Sequence, residues 1–529
     1  MFIKRTRGGS PQKPIYYLQL VQSYRDRRGK PRHKVIFTLG REEDVVDSNI
    51  VDSVIEALST LAKKLIILEK NEEFLGASWI LGPVLAIESV WKKLGLDTKL
   101  AAVQNRYKIE FDLCKAVKLM VLNRLVAPKS KLGVDEWKHR IYGDFADVQL
   151  QHLYRSLDIL AENKDFLERK LYETSQTLFK PEIRLVFYDL TSTYFESVSS
   201  DDFRKFGYSK DNKTDCVQVL IGLLVSKDGI PLGYEIFPGN TYEGHTVLAM
   251  LNKLAYRFEI EKVVFVADKG ILSKKVLAQI EGAGYEYIIA AKLPGLPEKW
   301  HEEILDPERY SEIGEGLWTA EMQIDGKRLV LGFSENRAQR DQTMRQELIK
   351  RLEKKMSQNP NETFTKPAYR KYLQMGKIQV EIDEQKIAAQ SRWDGFFGFY
   401  TNNQKLAPAQ VIEAYKLLWQ VEDSFRCLKS TIKLRPIFHW TKKRIEGHIM
   451  LCFLSFYILR IIQRKLHDAK LNITPQKALE KLTEISAVEI KTDSKIYIAR
   501  TEIAGVNAKI LQKLSVKIPK AIISENVVE

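Results

Sequence analysis

The chain has 529 residues, 44% hydrophobic and 29% charged; these are globular values, and at about 150 residues per domain the length allows three or four domains with ample cores. Lysine and arginine outnumber aspartate and glutamate by 83 to 68, a formal net charge of +15, which points to a polyanionic partner. The four cysteines form no CxxC pair, the eight histidines no HxxxH, and there is no GxxxxGK[ST] loop or GxSxG elbow, which argues against a structural zinc site, a nucleoside-triphosphate engine and a serine-elbow hydrolase.

Residues 1–41 carry eleven basic residues against the single acid Asp26. Ile15 to Tyr24 and His33 to Leu39 read as strands joined by Asp26-Arg27-Arg28-Gly29-Lys30-Pro31, a basic β-hairpin. Arg25, Arg27, Arg28, Lys30 and Arg32 around its tip suit phosphates, with steep salt dependence. Contacts of that kind position a protein without reading bases; the other reading is a solubilising edge hairpin. Residues 42–180 read as a helical domain, with apolar residues at helical spacing in Val51 to Leu68, Gly82 to Leu94, Leu113 to Leu125 and Leu150 to Phe179. Its candidates for phosphate contact are Arg106, Lys108, Lys129, Lys131, Lys138 and Arg140, against the default of scattered surface lysines.

Residues 181–292 alternate strands and helices. Leu185 to Phe195, rich in β-branched and aromatic residues, carries Asp189. Residues 216–225 and Ile230 to Phe237 form a hairpin around Ser226 to Gly229, and Glu243 to Phe258 is a helix. Lys262 to Ala267 is the apolar run of a strand buried on both faces, ending on Asp268. Open α/β sheets place their sites at such strand ends. Either carboxylate, buried and unpaired, would cost several kcal/mol, so each needs a cation, hydrogen bonds or water. The structural alternatives are threonine hydroxyls bonding Asp189 and a helix cap by Asp268 near Ser273. A helix from Ser273 and a strand from Tyr285 to Ala291 follow.

Asp268 and Glu422 are 154 residues apart, too many for one helix and a strand, so residues 293–391 read as an insertion. It contains a hairpin, Leu317 to Gln323 and Lys327 to Phe333, turning on Asp325-Gly326, a charged helix Arg337 to Lys355, and a strand Ile378 to Ile382. Phe396 to Tyr400 restores the core, residues 392–466. A helix there carries Tyr415, Glu422 and Lys429 at intervals of seven. At about 100° per residue, ring, carboxylate and ammonium would share one face, offering a metal ligand, a phosphate contact and a stacking surface; the bland alternative is a solvated face. Arg426, four residues after Glu422, lies on nearly the same face. Ile449 to Leu459 is well short of the roughly 20 residues that span a bilayer, so it reads as a buried helix with no membrane partner. Residues 467–529 read as a small C-terminal appendage. Sparse cysteine and no secretory signal make a cytoplasmic location the expectation.

An antiparallel hairpin, a helix, then alternating strands and helices is the order of the ribonuclease-H-like fold. The stretches Tyr188-Asp189-Leu190-Thr191, Gly229-Ile230-Pro231-Leu232-Gly233-Tyr234, Pro238-Gly239-Asn240-Thr241, Ala267-Asp268-Lys269-Gly270, Arg435-Pro436-Ile437 and Gly447-His448, with Tyr415, Glu422 and Lys429, resemble the DDE transposases of bacterial insertion sequences. The likeness is to the insertion-sequence-four superfamily, closest to its sixteen-thirty-four branch. The resemblance implies an α/β protein whose ribonuclease-H-like catalytic core is interrupted by a mixed, largely β insertion. It implies metal-dependent cleavage at the ends of an insertion sequence and strand transfer. Asp189, Asp268 and Glu422 would be the catalytic residues and the ligands of two Mg²⁺ ions, with Mn²⁺ as a substitute. Tyr415 and Lys429 would handle terminal nucleotides. Leu418 stands where the family has an arginine, leaving that role to a neighbour such as Arg426. The implied partners are double-stranded DNA, as terminal inverted repeats and target, and a second copy of the chain in the DNA complex, in a bacterial or archaeal cytoplasm at the nucleoid. Two other readings are a metal-dependent nuclease or resolvase of the same fold and a catalytically idle, transposase-derived repressor.

Overall fold

The computed structural model describes residues 2–11, 13–25, 30–47, 76–179, 185–207, 215–258, 264–267, 274–356, 372–375, 380–491 and 495–527. The chain divides into two units, residues 1–74 with 491–494 and residues 75–490 with 495–529.

In the first unit β1 (Phe2–Ser10), β2 (Lys13–Arg25) and β3 (Pro31–Arg41) form an antiparallel sheet, followed by the short helix α1 (Glu42–Asp47). The hairpin read from the sequence is therefore two strands of a three-stranded sheet. β1 was hidden because it alternates through Lys4, Arg5, Arg7 and two glycines rather than through apolar residues. It pairs with β2 from Phe2↔Val21 to Ser10↔Lys13, and Arg5 lies over the Tyr16 ring at 3.7 Å while donating to Glu42 at 2.8 Å. Arg25, Lys30 and Arg32 are exposed where β2 meets β3. Arg27 and Arg28 lie outside the described residues, as does the helix read at Val51 to Leu68.

The second unit opens with β4 (Ser78–Ile80) and six helices, α2 (Gly82–Lys93), α3 (Leu96–Gln104), α4 (Leu113–Val126), α5 (Lys131–Trp137), α6 (Leu150–Glu162) and α7 (Lys164–Phe179). The single helix read over Leu150 to Phe179 is divided at Asn163. That side chain donates to Ile159 O at 2.9 Å and to Tyr107 Oη at 2.6 Å, the local bonding that makes asparagine a helix terminator.

A mixed sheet follows. β5 (Leu185–Tyr194), β6 (Gln218–Ser226) and β7 (Pro231–Pro238) are an antiparallel meander. Helix α8 (Glu243–Phe258) leads to β8 (Val264–Ala267), and α9 (Lys274–Gly282) to β9 (Glu286–Ala291), with β8 parallel to both β5 and β9. The order is therefore β7-β6-β5-β8-β9. Beyond β9 the same sheet continues through β10 (Ser311–Gly314), β11 (Leu317–Ile324) and β12 (Lys327–Ser334), which are reached by way of β15 (Phe396–Thr401), antiparallel to β9 and to β12. Asp325 (φ 50°) and Gly326 (φ 74°) turn the β11–β12 hairpin, as a two-residue Asp-Gly connection requires. The charged helix is α10 (Glu335–Met356), and a small ribbon pairs β13 (Leu373–Met375) with β14 (Val380–Ile382).

After β15 come α11 (Pro408–Lys416), α12 (Trp419–Arg426) and the 27-residue α13 (Lys442–Asp468). Among the described residues α13 is the one helix long and apolar enough to cross a membrane, yet 94% of its apolar window is buried within the protein. It packs against α2, α4, α6 and β7. Gly447 makes the closest approach: a Cβ there would sit 2.0 Å from Leu157 O of α6. Then α14 (Pro475–Leu482), β16 (Ser486–Lys491), β17 (Lys495–Arg500), α15 (Gly505–Lys513) and β18 (Ile522–Val527) complete the chain. Their sheet runs β18-β17-β16-β4, so the C-terminal residues share a sheet with the start of this unit.

Candidate active site

β5 lies between β6 and β8 in the sheet, and seven of its ten residues are buried. Asp189 is half-buried in that strand, opposite Leu223 of β6, and its Oδ1 accepts from Leu190 N at 2.7 Å. β8 is buried throughout and ends at Ala267; Asp268, the next residue, lies outside the described residues. The parallel register runs Leu185↔Val264 to Phe187↔Val266, an offset equal to the interval from Asp189 to Asp268.

Glu422 lies on α12, which packs on β5 and β6. Val421, Ser424 and Phe425 face inward and are buried. Glu422, in the first turn, is exposed and makes no hydrogen bond or ion pair among the described residues. Its neighbour Asp423 turns inward instead. Arg460 of α13, only 4% exposed at its side chain, bonds Asp423 Oδ2 at 2.8 Å and Ser424 Oγ at 3.0 Å. This arginine, which fixes the glutamate helix from behind, was missed in the sequence; it showed there only as the charge ending an apolar run. Among the described residues no three His, Cys, Asp or Glu side chains form a cluster able to hold a metal ion.

The single face carrying Tyr415, Glu422 and Lys429 does not exist as read. Leu417 and Leu418 interrupt the helix: Leu418 N bonds Tyr415 O at 2.9 Å and Val421 N bonds Leu418 O at 3.1 Å, three-residue closures that turn faster than an α-helix. After Arg426 the chain makes a π-helical turn, Cys427–Thr431, where Ile432 N bonds Cys427 O at 3.0 Å. Lys429 lies in that turn. Tyr415 is half-buried with its ring against Phe399 of β15, centroids 4.3 Å apart, so it packs the glutamate segment onto the sheet. Leu418, at the family's arginine position, is buried in the core. Arg426 is exposed and 4.0 Å from Asp423 Oδ1. Trp419, neighbouring the break, is half-exposed.

Beyond Asp189, β5 ends among arginines and rings. Arg435 lies 4.7 Å over Tyr194, and Arg204 lies 5.6 Å over Phe195 and 5.3 Å over the exposed Trp440. Such guanidinium and aromatic surfaces suit a nucleic-acid strand. The motif Arg435-Pro436-Ile437 is part of this rim.

The model of the transposase DDE domain matches residues 180–458, and that of the IS1634 family transposase N-terminal domain matches residues 3–71. No curated protein matches the chain. Among solved structures, the chain is similar to the piggyBac transposase in a synaptic complex with hairpin DNA, at 9% identity and TM-score 0.35 over 76% of this chain and 79% of that one. It is also similar to the Mos1 transposase in a paired-end complex with the left transposon end, at 11% identity and TM-score 0.15 over 34% and 60%.

Proposed function

The chain belongs to the family of transposases with a DDE domain and is a DNA transposase; from that premise we propose that Asp189, Asp268 and Glu422 form its catalytic triad. The observation carrying this is the seating of α12, whose exposed Glu422 has no partner among the described residues, on β5, the strand bearing Asp189. The equality of the β5–β8 register offset with the Asp189–Asp268 interval supports adding the second aspartate. The order β7-β6-β5-β8-β9 supports a ribonuclease-H-like core, residues 181–292 and 392–466, with residues 293–391 as an insertion that lengthens the sheet. Residues 1–41 and 42–180 are then the DNA-binding parts, and residues 467–529 close the helical region.

Three carboxylates are hard oxygen donors, which fits Mg²⁺, or Mn²⁺ in its place. When bound, two such ions activate the attacking oxygen and stabilise the leaving oxygen of an in-line displacement. Asp189 sits on a largely buried strand and Glu422 on a helix pinned by Arg460, rigid elements of the kind that hold a site in place. Water first attacks the phosphodiester at the element's end, releasing a 3′ hydroxyl; that hydroxyl then attacks target DNA, and the target's own 3′ oxygen leaves. No covalent bond to the protein forms. Tyr415 positions the segment, and Lys429 and Arg426 supply positive charge beside Glu422. Two chains would hold the two ends of one element.

Asp189→Asn, Asp268→Asn and Glu422→Gln should each abolish Mg²⁺-dependent cleavage of DNA carrying the element's inverted repeats, while binding measured by gel shift persists. Cleavage retained in any two of the three would defeat the triad. Precut ends that are joined to target by the wild-type protein distinguish a transposase from a nuclease of the same fold.

A further inference from the structure

Lys129 and Lys131, in the polar run Pro128-Lys129-Ser130-Lys131, are among the sequence's candidates for phosphate contact, where the alternative is a scattered surface lysine. Lys131 is instead only 3% exposed. It lines a cavity of about 140 Å³ together with Arg124, Lys129, Lys433, Arg435 and His439, roughly ten times the space a single water needs. No carboxylate lines this cavity. Arg124, buried, is fixed by donating to Lys433 O at 3.0 Å and Lys129 O at 3.2 Å. Lys131 has no hydrogen-bond or ion-pair partner among the described residues. His448 Nδ1 is buried without a partner among the described residues, while Nε2 lies 3.1 Å from Leu434 O.

Arg124 and Lys131 are buried beside a cavity whose lining holds no carboxylate, and burying like charges is costly; carbonyl oxygens offset this for Arg124, whereas Lys131 has no such partner among the described residues. Burial and the neighbouring Arg124 push Lys131 down to about 7, and burial with nearby cations pushes His439 down to about 4. An oxyanion entering the cavity would supply the missing charge and acceptors. Arg435 joins this cavity to the active-site strand, since it lines the cavity and also lies over Tyr194, the last residue of β5. Tyr194 is five residues past Asp189, about 17 Å along an extended strand.

We propose that this cavity, walled by α4, the turn before α5 and the segment Lys433 to His439, binds one phosphate group, supplied in the working protein by the backbone of the DNA strand lying along the end of β5. The assignment to DNA rests on the transposase reading; the phosphate chemistry does not.

The test uses the full-length protein. Inorganic phosphate is titrated by calorimetry against chloride at matched ionic strength, with the wild type and with Lys131→Met, which keeps the bulk and removes the charge. Lys433→Gln, at an exposed position, gives a second reading without touching the core. Both variants should weaken phosphate binding about tenfold or more. In the second arm, methylphosphonates neutralise the phosphates of the end DNA one at a time. One position should weaken wild-type binding and leave Lys131→Met indifferent. If phosphate binding depends on Lys131 but no methylphosphonate position does, the site takes free phosphate and the DNA assignment falls while the transposase reading stands. Phosphate that binds both variants as it binds the wild type, or that does not bind at all, overturns the proposal.

Discussion

Asp423 and Glu422 are adjacent carboxylates with opposite surroundings, one bonded to a buried arginine and the other open to solvent. Arg460→Met should therefore destabilise the protein by about 3 kcal/mol, the low end for breaking a buried pair, read as a lower urea midpoint, and should reduce cleavage because α12 loses its anchor. Glu422→Gln should leave that midpoint within about 0.5 kcal/mol. Lys131 gives a pH signature. Its folded value near 7 lies below the ordinary 10.5, so between those values the unfolded chain holds a proton that the folded chain lacks, and stability rises with pH across that window. Arg124, Lys129, Lys433, Arg435, His439, His448 and Cys452 surround it. Lys131→Met should be more stable than the wild type near pH 7, with the gap closing toward pH 10; a gap independent of pH would contradict the assignment. No sequence pattern marks this lysine as buried, because its cover comes from residues some three hundred positions later.

At the scale of elements, the strands around Asp189 and in the β11–β12 hairpin were legible because their apolar runs and turn residues agree with the sheet that buries them. The break at Leu417-Leu418 was not. Nothing between Tyr415 and Thr431 is glycine or proline, so local propensity favours one helix, and only packing against β5 and β15 sets the faster and slower turns that aim Glu422. The heptad arithmetic failed there for that reason. Close packing also makes a prediction for α13. Gly447→Ala would press a methyl group onto Leu157 O, and overpacking of this kind costs about 1–3 kcal/mol. Denaturant unfolding should show a lower midpoint with an unchanged slope.

For the whole molecule, the proposed function divides the work, with the excess positive charge holding DNA and the three carboxylates cutting it. Replacing Arg25, Lys30 and Arg32 together by glutamine should flatten the salt dependence of DNA binding by up to about 3 in logarithmic slope, near 0.9 for each phosphate no longer neutralised, while DNA that remains bound is cut at an unchanged rate. The family was legible in the sequence because its motifs recur along the chain; the three-stranded N-terminal sheet and the sheet shared by β4 and the C-terminal strands were not, since β1 is basic rather than apolar and the short β4 finds its partner about four hundred residues later. The most direct measurement is a count of Mn²⁺ bound by the full-length protein on its end DNA, by electron paramagnetic resonance, in the wild type and the three carboxylate variants. Two ions per chain in the wild type, with at least one lost from each of Asp189→Asn, Asp268→Asn and Glu422→Gln, is the expected result; two ions retained in all three variants would contradict a shared metal site.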